Sequence, residues 1–346
     1  MKRAGLFSLN NPYPIMILDR PNDLLAPRAH HGTTAHTSAT AFAPAGVGNV
    51  AVGFDVLGHT LAAVGDHITV RRVERPGVEI EEITGLDVRI PHDPERNTAT
   101  AGLIALIREK NLPFGMTVRI DKAIPLGSGM GGSAASAVGA LIAANALLDE
   151  PLTPLQLLRY ALVGETVASG SAHGDNLAPG LFGGLTLVRS MDPPDVVRIP
   201  VPEELRCVLV YPHLRLDTRD ARSILPTQVP RQTAVEHGGN LAAFVMGCAM
   251  GDLELIRRSF IDLLAEPHRA TLVPGFRAVQ SAAIEAGALG CSLSGAGPSV
   301  FAWCADDTSA SAVRAAMCDG FERTGVQTMS WISPVNAPGA RLVEVA

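Results

Sequence analysis

The chain has 346 residues, of which 47% are apolar and 18% are charged, and its formal net charge is −6. A chain of this length suggests about two domains with buried cores, and the composition excludes general disorder. Only three lysines and 4% aromatic residues are present, so the chain lacks the basic surface of a nucleic-acid-binding protein and no nucleic-acid partner is expected.

The cysteines and the apolar pattern predict a cytoplasmic protein. The five cysteines are odd in number, form no CxxC pair and all lie in the second half of the chain, as is typical of buried thiols in a reducing compartment. No run of about 18 apolar residues is present. The first residues lack the apolar core of a signal peptide. We therefore expect no membrane partner.

Residues 1–36 differ from the rest of the chain. Prolines interrupt the segment, and a polar tract with three histidines follows them. We predict a disordered N-terminal arm, because such histidines belong to a solvated tail more often than to a metal site. The remaining chain is predicted to form a first domain over 37–195 and a second over 196–346, divided near a proline-rich stretch.

The elements on either side of one glycine-rich loop are the clearest in the first domain. Residues 116–121 alternate apolar and polar side chains, which predicts a strand with one solvated face. Segment 133–148 is rich in alanine and apolar on all sides, which predicts a buried helix. A second helix is predicted over 154–168, with a proline near its start.

In the second domain the pattern predicts a strand over 207–211 and a loop and strand at 292–303. Helices are predicted over four further segments: 234–250, 252–264, 276–287 and 308–323. Strands and helices mix without regular βαβ alternation, so the predicted fold class is α+β.

The glycine loop is the strongest motif. It consists of Pro125, Leu126, Gly127, Ser128, Gly129, Met130, Gly131, Gly132, Ser133, Ala134 and Ala135. A loop of this kind that leads into a helix presents unpaired backbone N–H groups and the positive end of the helix dipole, and both favour phosphate. Glycine also lets a ligand approach the backbone closely. The sequence therefore predicts an anion site here.

Three other interpretations of the loop stay open on its residues alone. Gly127, Gly129 and Gly132 fit the GxGxxG of a dinucleotide-binding oxidoreductase, although the strand before them is half polar and too distant in the chain. Gly127 and Gly132 also fit the start of a Walker loop, but Ser133 stands where the lysine must be. The third interpretation is a glycine-rich turn that binds no ligand.

The helix over 154–168 carries a carboxylate on its apolar side. Leu158, Leu162 and Glu165 are spaced i, i+4 and i+7, which places them on one face. A buried carboxylate needs a partner. Two partners fit the pattern: an arginine in a structural salt bridge, or Mg²⁺ held together with the Ser133 hydroxyl and phosphate oxygens.

The pattern Pro-x-Gly-x-Gly-x-Gly-x-Ser-Ala-Ala resembles the nucleotide loop of the GHMP small-molecule kinases, in which it wraps a triphosphate without a Walker lysine. Many members have serine where Gly132 stands. Segments 44–55, 164–176 and 292–298 resemble further motifs of that family. The string Gly-Glu-x3-Ser-Gly-Ser-x-His-x-Asp-Asn at 164–176 is most similar to its homoserine kinase branch. The resemblance covers residues 39–346.

The resemblance implies a two-domain GHMP kinase fold, with an N-terminal nucleotide-loop domain and a C-terminal ferredoxin-like α+β domain. It implies an ATP- and Mg²⁺-dependent kinase that phosphorylates the side-chain hydroxyl of L-homoserine to O-phospho-L-homoserine, in threonine biosynthesis. ATP and L-homoserine would be its small-molecule partners, and a homodimer is common in the family. A mevalonate- or sugar-type GHMP kinase and a ligand-binding relative without catalysis remain alternatives.

Residue by residue, the resemblance assigns the loop at 125–135 to ATP and Asn97 to the adenine. Ser133 and Glu165 would hold the metal and serve catalysis, and Thr218 would lie near the transferred phosphate. Seven residues would surround the amino acid: Asn49, Asp55, His173, Asp175, Arg222, Arg269 and Gly295.

Overall fold

The computed structural model describes residues 36–86, 90–169 and 173–346. The predicted arm over residues 1–36 lies outside these ranges except for its last residue. The strands of the described chain are β1 (Ser38–Gly48), β2 (Leu57–Val73), β3 (Val78–Gly85), β4 (Gly115–Lys122), β5 (Leu185–Met191), β6 (Pro194–Ile199), β7 (Arg206–Pro212), β8 (Gly290–Leu293), β9 (Val300–Cys304), β10 (Thr328–Pro334) and β11 (Arg341–Val345).

Within the described ranges, four helices precede β5 and six follow β7. They are α1 (Thr98–Lys110), α2 (Gly132–Asn145), α3 (Pro154–Ser169), α4 (Leu177–Phe182), α5 (Thr218–Ser223), α6 (Arg231–Met250), α7 (Leu253–Ser259), α8 (Glu266–Arg269), α9 (Phe276–Glu285) and α10 (Asp307–Glu322). None of the helices within the described ranges has both the length and the apolar character that a membrane crossing requires.

The first sheet has the strand order β11-β1-β2-β4-β3. Strand β5 also pairs with β2, and β6 pairs with β5. Every pair is antiparallel except β3 with β4. Helix α2 packs closely on the sheet because both surfaces carry small side chains. A Cβ on Gly139 would lie 3.0 Å from atoms of Ala43 and Ile68. The core here joins Ile68 to Leu141 of α2 and Leu158 of α3.

The second sheet has the order β10-β7-β9-β8, with all pairs antiparallel. Its chain order is strand, helices, β8, β9, α10 and β10, which is the βαββαβ arrangement of ferredoxin-like domains. Helices α9 and α10 cover one face through Phe276, Val279, Met317 and Phe321. The predicted α+β class is confirmed.

The two sheets share a core, and the chain crosses between them twice. Leu57 of the first sheet and Leu209 and Trp303 of the second belong to one apolar cluster. Strand β6 runs across the predicted boundary between residues 195 and 196, and β11 returns to pair with β1. The division at that boundary stays a prediction.

The predicted elements beside the glycine loop agree with β4, α2 and α3. The helix predicted over 252–264 is shorter, because α7 ends at Ser259. The side chain of Asp262 accepts hydrogen bonds from the backbone amides of residues 264 to 266, at 2.7 to 3.0 Å. This local capping replaces the helical bonds that the pattern predicted.

A buried histidine joins the two sheets. Nε2 of His59 on β2 accepts a hydrogen bond from Nε1 of Trp303 on β9 at 3.2 Å, and Nδ1 donates to the Thr60 carbonyl at 2.9 Å. Burial lowers the pKa of His59 to about 4. Since indole N–H can only donate, the interaction requires neutral imidazole.

We expect the free energy of unfolding to decrease between pH 6.5 and 4. The pKa of His59 is lower in the folded chain than its ordinary 6.5, so the unfolded chain takes up the proton first in this window. Protonation of His59 should therefore lower the free energy of unfolding by about 2 kcal/mol as the pH falls from 7 to 5. His59→Gln retains an acceptor for Trp303, and urea unfolding should show a weaker pH dependence for this variant. Equal pH dependence in both proteins would contradict the assignment.

Candidate active site

The glycine loop between β4 and α2 turns its carbonyl groups toward the protein. Gly127 O accepts from Leu216 N at 3.1 Å, Ser128 O from Ser299 N at 3.1 Å, Gly129 O from the Ser294 hydroxyl at 2.7 Å and Met130 O from Gly46 N at 2.9 Å. Within the described chain, the amides from Gly127 to Gly131 have no hydrogen-bond acceptor. These amides are therefore available to an anion.

Helix α2 begins without a side-chain cap, and Gly131 precedes it at φ 65°. Two buried polar atoms near this point, Ser128 Oγ and Asn176 Oδ1, have no hydrogen-bond partner. Both residues line a cavity of about 390 Å³ in front of the loop. The open amides, the uncapped helix start and the Ser128 hydroxyl together fit a phosphate group, whereas Asn176 Oδ1 can only accept a hydrogen bond.

A buried ion pair holds together the two elements on either side of the loop, and nothing in the sequence pattern indicated it. Lys122, at the end of β4, pairs with Asp66 of β2, and both side chains are almost fully buried. Lys122 Nζ also donates to the Gly132 carbonyl and to the Ser136 hydroxyl, each at 3.0 Å. Asp66 accepts the two amides that follow Lys122. The pair thus joins the end of the strand to the first turn of α2.

Gly129 is the loop position at which the structure excludes a side chain most clearly. Its φ is 78°, and a Cβ would lie 2.5 Å from Ser294 O and 2.6 Å from Gly297 O. We expect Gly129→Ala to lower the free energy of unfolding by about 2 kcal/mol more than Gly77→Ala, which has φ 106° and no atom within 4 Å. ATP binding should weaken only in Gly129→Ala. Similar thermal unfolding and ATP titrations for both variants would contradict close packing at Gly129.

Ser133 and Glu165 lie together as predicted. The Ser133 hydroxyl, in the first turn of α2, donates to Glu165 Oε2 on α3 at 2.9 Å. Among the described residues, no group of three or more His, Cys, Asp and Glu side chains could hold a metal. One hydroxyl and one carboxylate fit Mg²⁺, which completes its shell with water and phosphate oxygens.

The predicted amino-acid site centres on Asp55, in the loop after β1. Arg222 of α5 donates to both Asp55 oxygens, at 3.0 and 2.8 Å, and His173 Nδ1 lies 3.6 Å from Asp55 Oδ2. The Asp55 amide donates to Asn49 Oδ1 at 3.0 Å. Asn49 and Asp55 both have left-handed backbone, with φ of 67° and 59°. Such strained positions cluster at functional sites.

Arg269 lies behind this pair and is 2% exposed. Its Nε donates to the Ala221 carbonyl at 3.0 Å, and one terminal nitrogen donates to the Gly295 carbonyl at 3.2 Å. Asn49 Nδ2 reaches the same Gly295 oxygen at 3.0 Å. Burial lowers the pKa of Arg269, and the nearby Arg222 adds to this effect. The predicted residues from three distant segments therefore meet at Gly295.

The carboxyl of Asp175 has a strongly raised pKa. It is buried, and burial, together with the nearby Asp55 charge, raises its pKa to about 7. Burial lowers the pKa of His173, while Asp55 opposes that shift. Asn176 Nδ2 lies 3.4 Å from Asp175 Oδ2 and connects the acid to the cavity of the glycine loop.

Thr218 lines the same cavity as the loop and Glu165. Asn97 lies in a neighbouring cavity of about 380 Å³ that shares Ser133 with it. Asn97 caps α1, because its Oδ1 accepts from Ala99 N at 2.9 Å and its Nδ2 donates to Pro91 O at 2.8 Å. The structure therefore gives Asn97 a capping role, and its adenine role stays a prediction.

A second group without a signal in the sequence anchors α8, the short helix that carries Arg269. Glu266, in the same short helix α8, accepts hydrogen bonds from the Ser292 hydroxyl and the Arg277 guanidinium, each at 2.6 Å. Asp262 caps the start of this segment. A buried acid three residues before an arginine could have indicated such support, but its partners are too distant in the chain to predict.

Comparison with known proteins identifies the family. Residues 97–184 match the GHMP kinases N terminal domain, and residues 244–323 match the GHMP kinases C terminal family. A homoserine kinase of Xylella fastidiosa (strain M12) is 49% identical over 324 residues, which cover 93% of this chain and 100% of that protein. One of Chlorobium phaeobacteroides (strain BS1) is 43% identical over 88% of this chain and 99% of its own length.

A crystal structure of homoserine kinase from Cytophaga hutchinsonii ATCC 33406 matches with a TM-score of 0.87 at 42% identity, over 91% of this chain and 100% of that one. The two-domain fold predicted from the motifs is confirmed. The chain belongs to the homoserine kinase family of the GHMP kinases.

Proposed function

We propose that this chain transfers the γ-phosphoryl group of ATP to the side-chain hydroxyl of L-homoserine. The products are O-phospho-L-homoserine and ADP, and the hydroxyl proton is released. One observation carries the proposal: a loop with open amides and a site with paired opposite charges meet at Gly295, which lines the cavity of the loop and accepts from Arg269 of the amino-acid site.

On the nucleotide side, the loop amides and the start of α2 would bind the phosphates. These groups are already oriented, because Lys122 and hydrogen bonds from three other segments hold the loop in place. Preoriented dipoles stabilise developing charge without a cost of reorganisation. When bound, Mg²⁺ held by Ser133 and Glu165 would neutralise part of the phosphate charge.

On the amino-acid side, the Asp55–Arg222 pair matches a zwitterion. The α-carboxylate of homoserine can replace Asp55 on the Arg222 fork, while the α-ammonium binds to Asp55. Arg269 adds a second cation beside the same position. Mevalonate has a carboxylate but no ammonium, and galactose has neither charge. Binding of mevalonate would leave Asp55 without its cationic partner, and binding of galactose would leave both Asp55 and Arg222 without a charged partner.

The transfer itself needs positioning more than a strong base. Phosphoryl transfer passes through a loose transition state in which charge neutralisation and alignment dominate. Thr218 lines the cavity of the loop and would orient the hydroxyl toward the terminal phosphate. His173 and Asp175 would accept hydrogen bonds from the amino acid.

A substrate screen tests the proposal. The purified chain is assayed for ADP release with ATP and homoserine, mevalonate, galactose or shikimate. Homoserine should exceed the others in kcat/KM by about 100-fold or more. Turnover of mevalonate or galactose alone would instead indicate another GHMP kinase, and ligand binding without any turnover would indicate a non-catalytic relative. Binding of NAD(P)H without ATP would indicate an oxidoreductase.

The expectation of a cytoplasmic homodimer rests on the family resemblance and on the cysteine pattern, and it stays a prediction. Light scattering of the purified chain measures its mass in solution directly. A mass of twice that of one chain would support the dimer, and a monomer would contradict it.

A further inference from the structure

Two arginines line the cavity in front of the glycine loop, and neither had a role in the sequence analysis. Among the described residues that line this cavity, Arg215 and Arg219 are the cations, and Glu165 and Asp217 are the anions. The loop over 125–134 has no charged side chain. The two cationic side chains at this cavity therefore come from the segment between β7 and α5 and from the first turn of α5.

The side chain of Arg215 lies directly on the loop. A Cβ on Gly127 would be 2.8 Å from Arg215 Cγ and 3.5 Å from Arg215 Nε. The next residue, Leu216, donates its amide to the Gly127 carbonyl at 3.1 Å. This backbone bond fixes the segment and places the Arg215 side chain beside Gly127.

Within the described parts of the chain, the charge of Arg215 acts on Tyr211, where it opposes the rise in pKa that burial causes, but no acidic side chain pairs with it. Its guanidinium makes no ion pair and no hydrogen bond there, whereas the fork of Arg222 is occupied by Asp55. Arg215 is also exposed to solvent, so a ligand can reach all its donors. Arg219 lines the cavity without the contact to Gly127.

We propose that Arg215 binds the terminal phosphates of the nucleotide and neutralises charge during transfer. The inference rests on the proposed function. The loop supplies neutral amides, and a guanidinium fork adds a full positive charge with geometry suited to two phosphate oxygens. Phosphoryl transfer depends on such neutralisation.

Three variants separate charge from packing. Arg215→Met keeps a long apolar side chain over Gly127 and removes the charge, Arg215→Lys keeps the charge, and Arg314→Met on α10 removes an exposed arginine that does not line the cavity. We expect kcat/KM for ATP to fall by about 10- to 100-fold in Arg215→Met. The loss should be smaller in Arg215→Lys and absent in Arg314→Met. The KM for homoserine and the thermal unfolding midpoint should stay unchanged.

Wild-type kinetics in Arg215→Met would overturn the inference. A loss of activity in Arg215→Ala that is absent in Arg215→Met would also overturn it, because the side chain would then act by packing alone. Binding gives an independent check, since Arg215→Met should weaken a non-hydrolysable ATP analogue more than ADP. The activity of the wild-type protein distinguishes failure of the proposed function from failure of the inference on Arg215. If it does not phosphorylate homoserine the proposed function fails, and if it does while Arg215→Met is unaffected only this inference fails.

Discussion

Glu165→Gln should lower kcat at saturating ATP by about 1,000-fold or more, because the amide carries no charge to hold Mg²⁺. The substitution preserves the shape of the side chain. The Gln Oε1 atom can still accept from the Ser133 hydroxyl, which lies 2.9 Å from the carboxylate. Loss of the fold is therefore not expected, and the thermal unfolding midpoint should match that of the wild-type protein.

A binding measurement separates the metal from other effects of this change. In the wild-type protein, Mg²⁺ should strengthen the binding of a non-hydrolysable ATP analogue, and in Glu165→Gln that effect should be lost. Glu322→Gln, at the exposed end of α10, is the matched control. A near-normal kcat in Glu165→Gln would remove Glu165 from the metal site.

Arg269→Ala should raise the KM for homoserine by about 100-fold or more, with little change in the KM for ATP. The guanidinium is buried beside the Asp55–Arg222 pair, so we expect its charge to act mainly on the proposed amino-acid site. The same change leaves the Ala221 and Gly295 carbonyls without a donor. We therefore also expect destabilisation of about 2 kcal/mol.

Arg269→Lys separates these two effects. Lysine keeps the charge but cannot reach both carbonyls with a planar fork. Its KM for homoserine should lie between those of the wild-type protein and Arg269→Ala. Equal increases in the KM for ATP and for homoserine in Arg269→Ala would place the arginine outside the amino-acid site.

The parts of the site that depend on local pattern could be predicted from the sequence. The glycine loop is continuous in the chain, and helical spacing predicted that Glu165 shares a face of its helix with Leu158 and Leu162. The pairing with Ser133, which the structure shows at 2.9 Å, was one of two partners left open by the spacing and was favoured by the family resemblance. The contact between Asp55 and Arg222 joins residues 167 positions apart. Local pattern has no information on such a contact, so only the family resemblance brought these residues together.

Other features had no local signal. Lys122 directly follows the strand predicted over 116–121 and had no predicted role, yet its ammonium is buried against Asp66, which lies 56 residues earlier. The return of β11 to β1 likewise depends on tertiary pairing. Arg215 belongs to no sequence motif, and only the tertiary fold places its side chain beside Gly127.

Identification of the reaction product tests the central claim most directly. The wild-type protein is incubated with ATP, Mg²⁺ and L-homoserine, and the product is examined by phosphorus NMR and mass spectrometry. We predict a phosphomonoester on the side-chain hydroxyl of homoserine, formed in equal amount with ADP and strongly reduced in Glu165→Gln. ADP release that does not depend on homoserine, or a product without phosphate on that hydroxyl, would contradict the account.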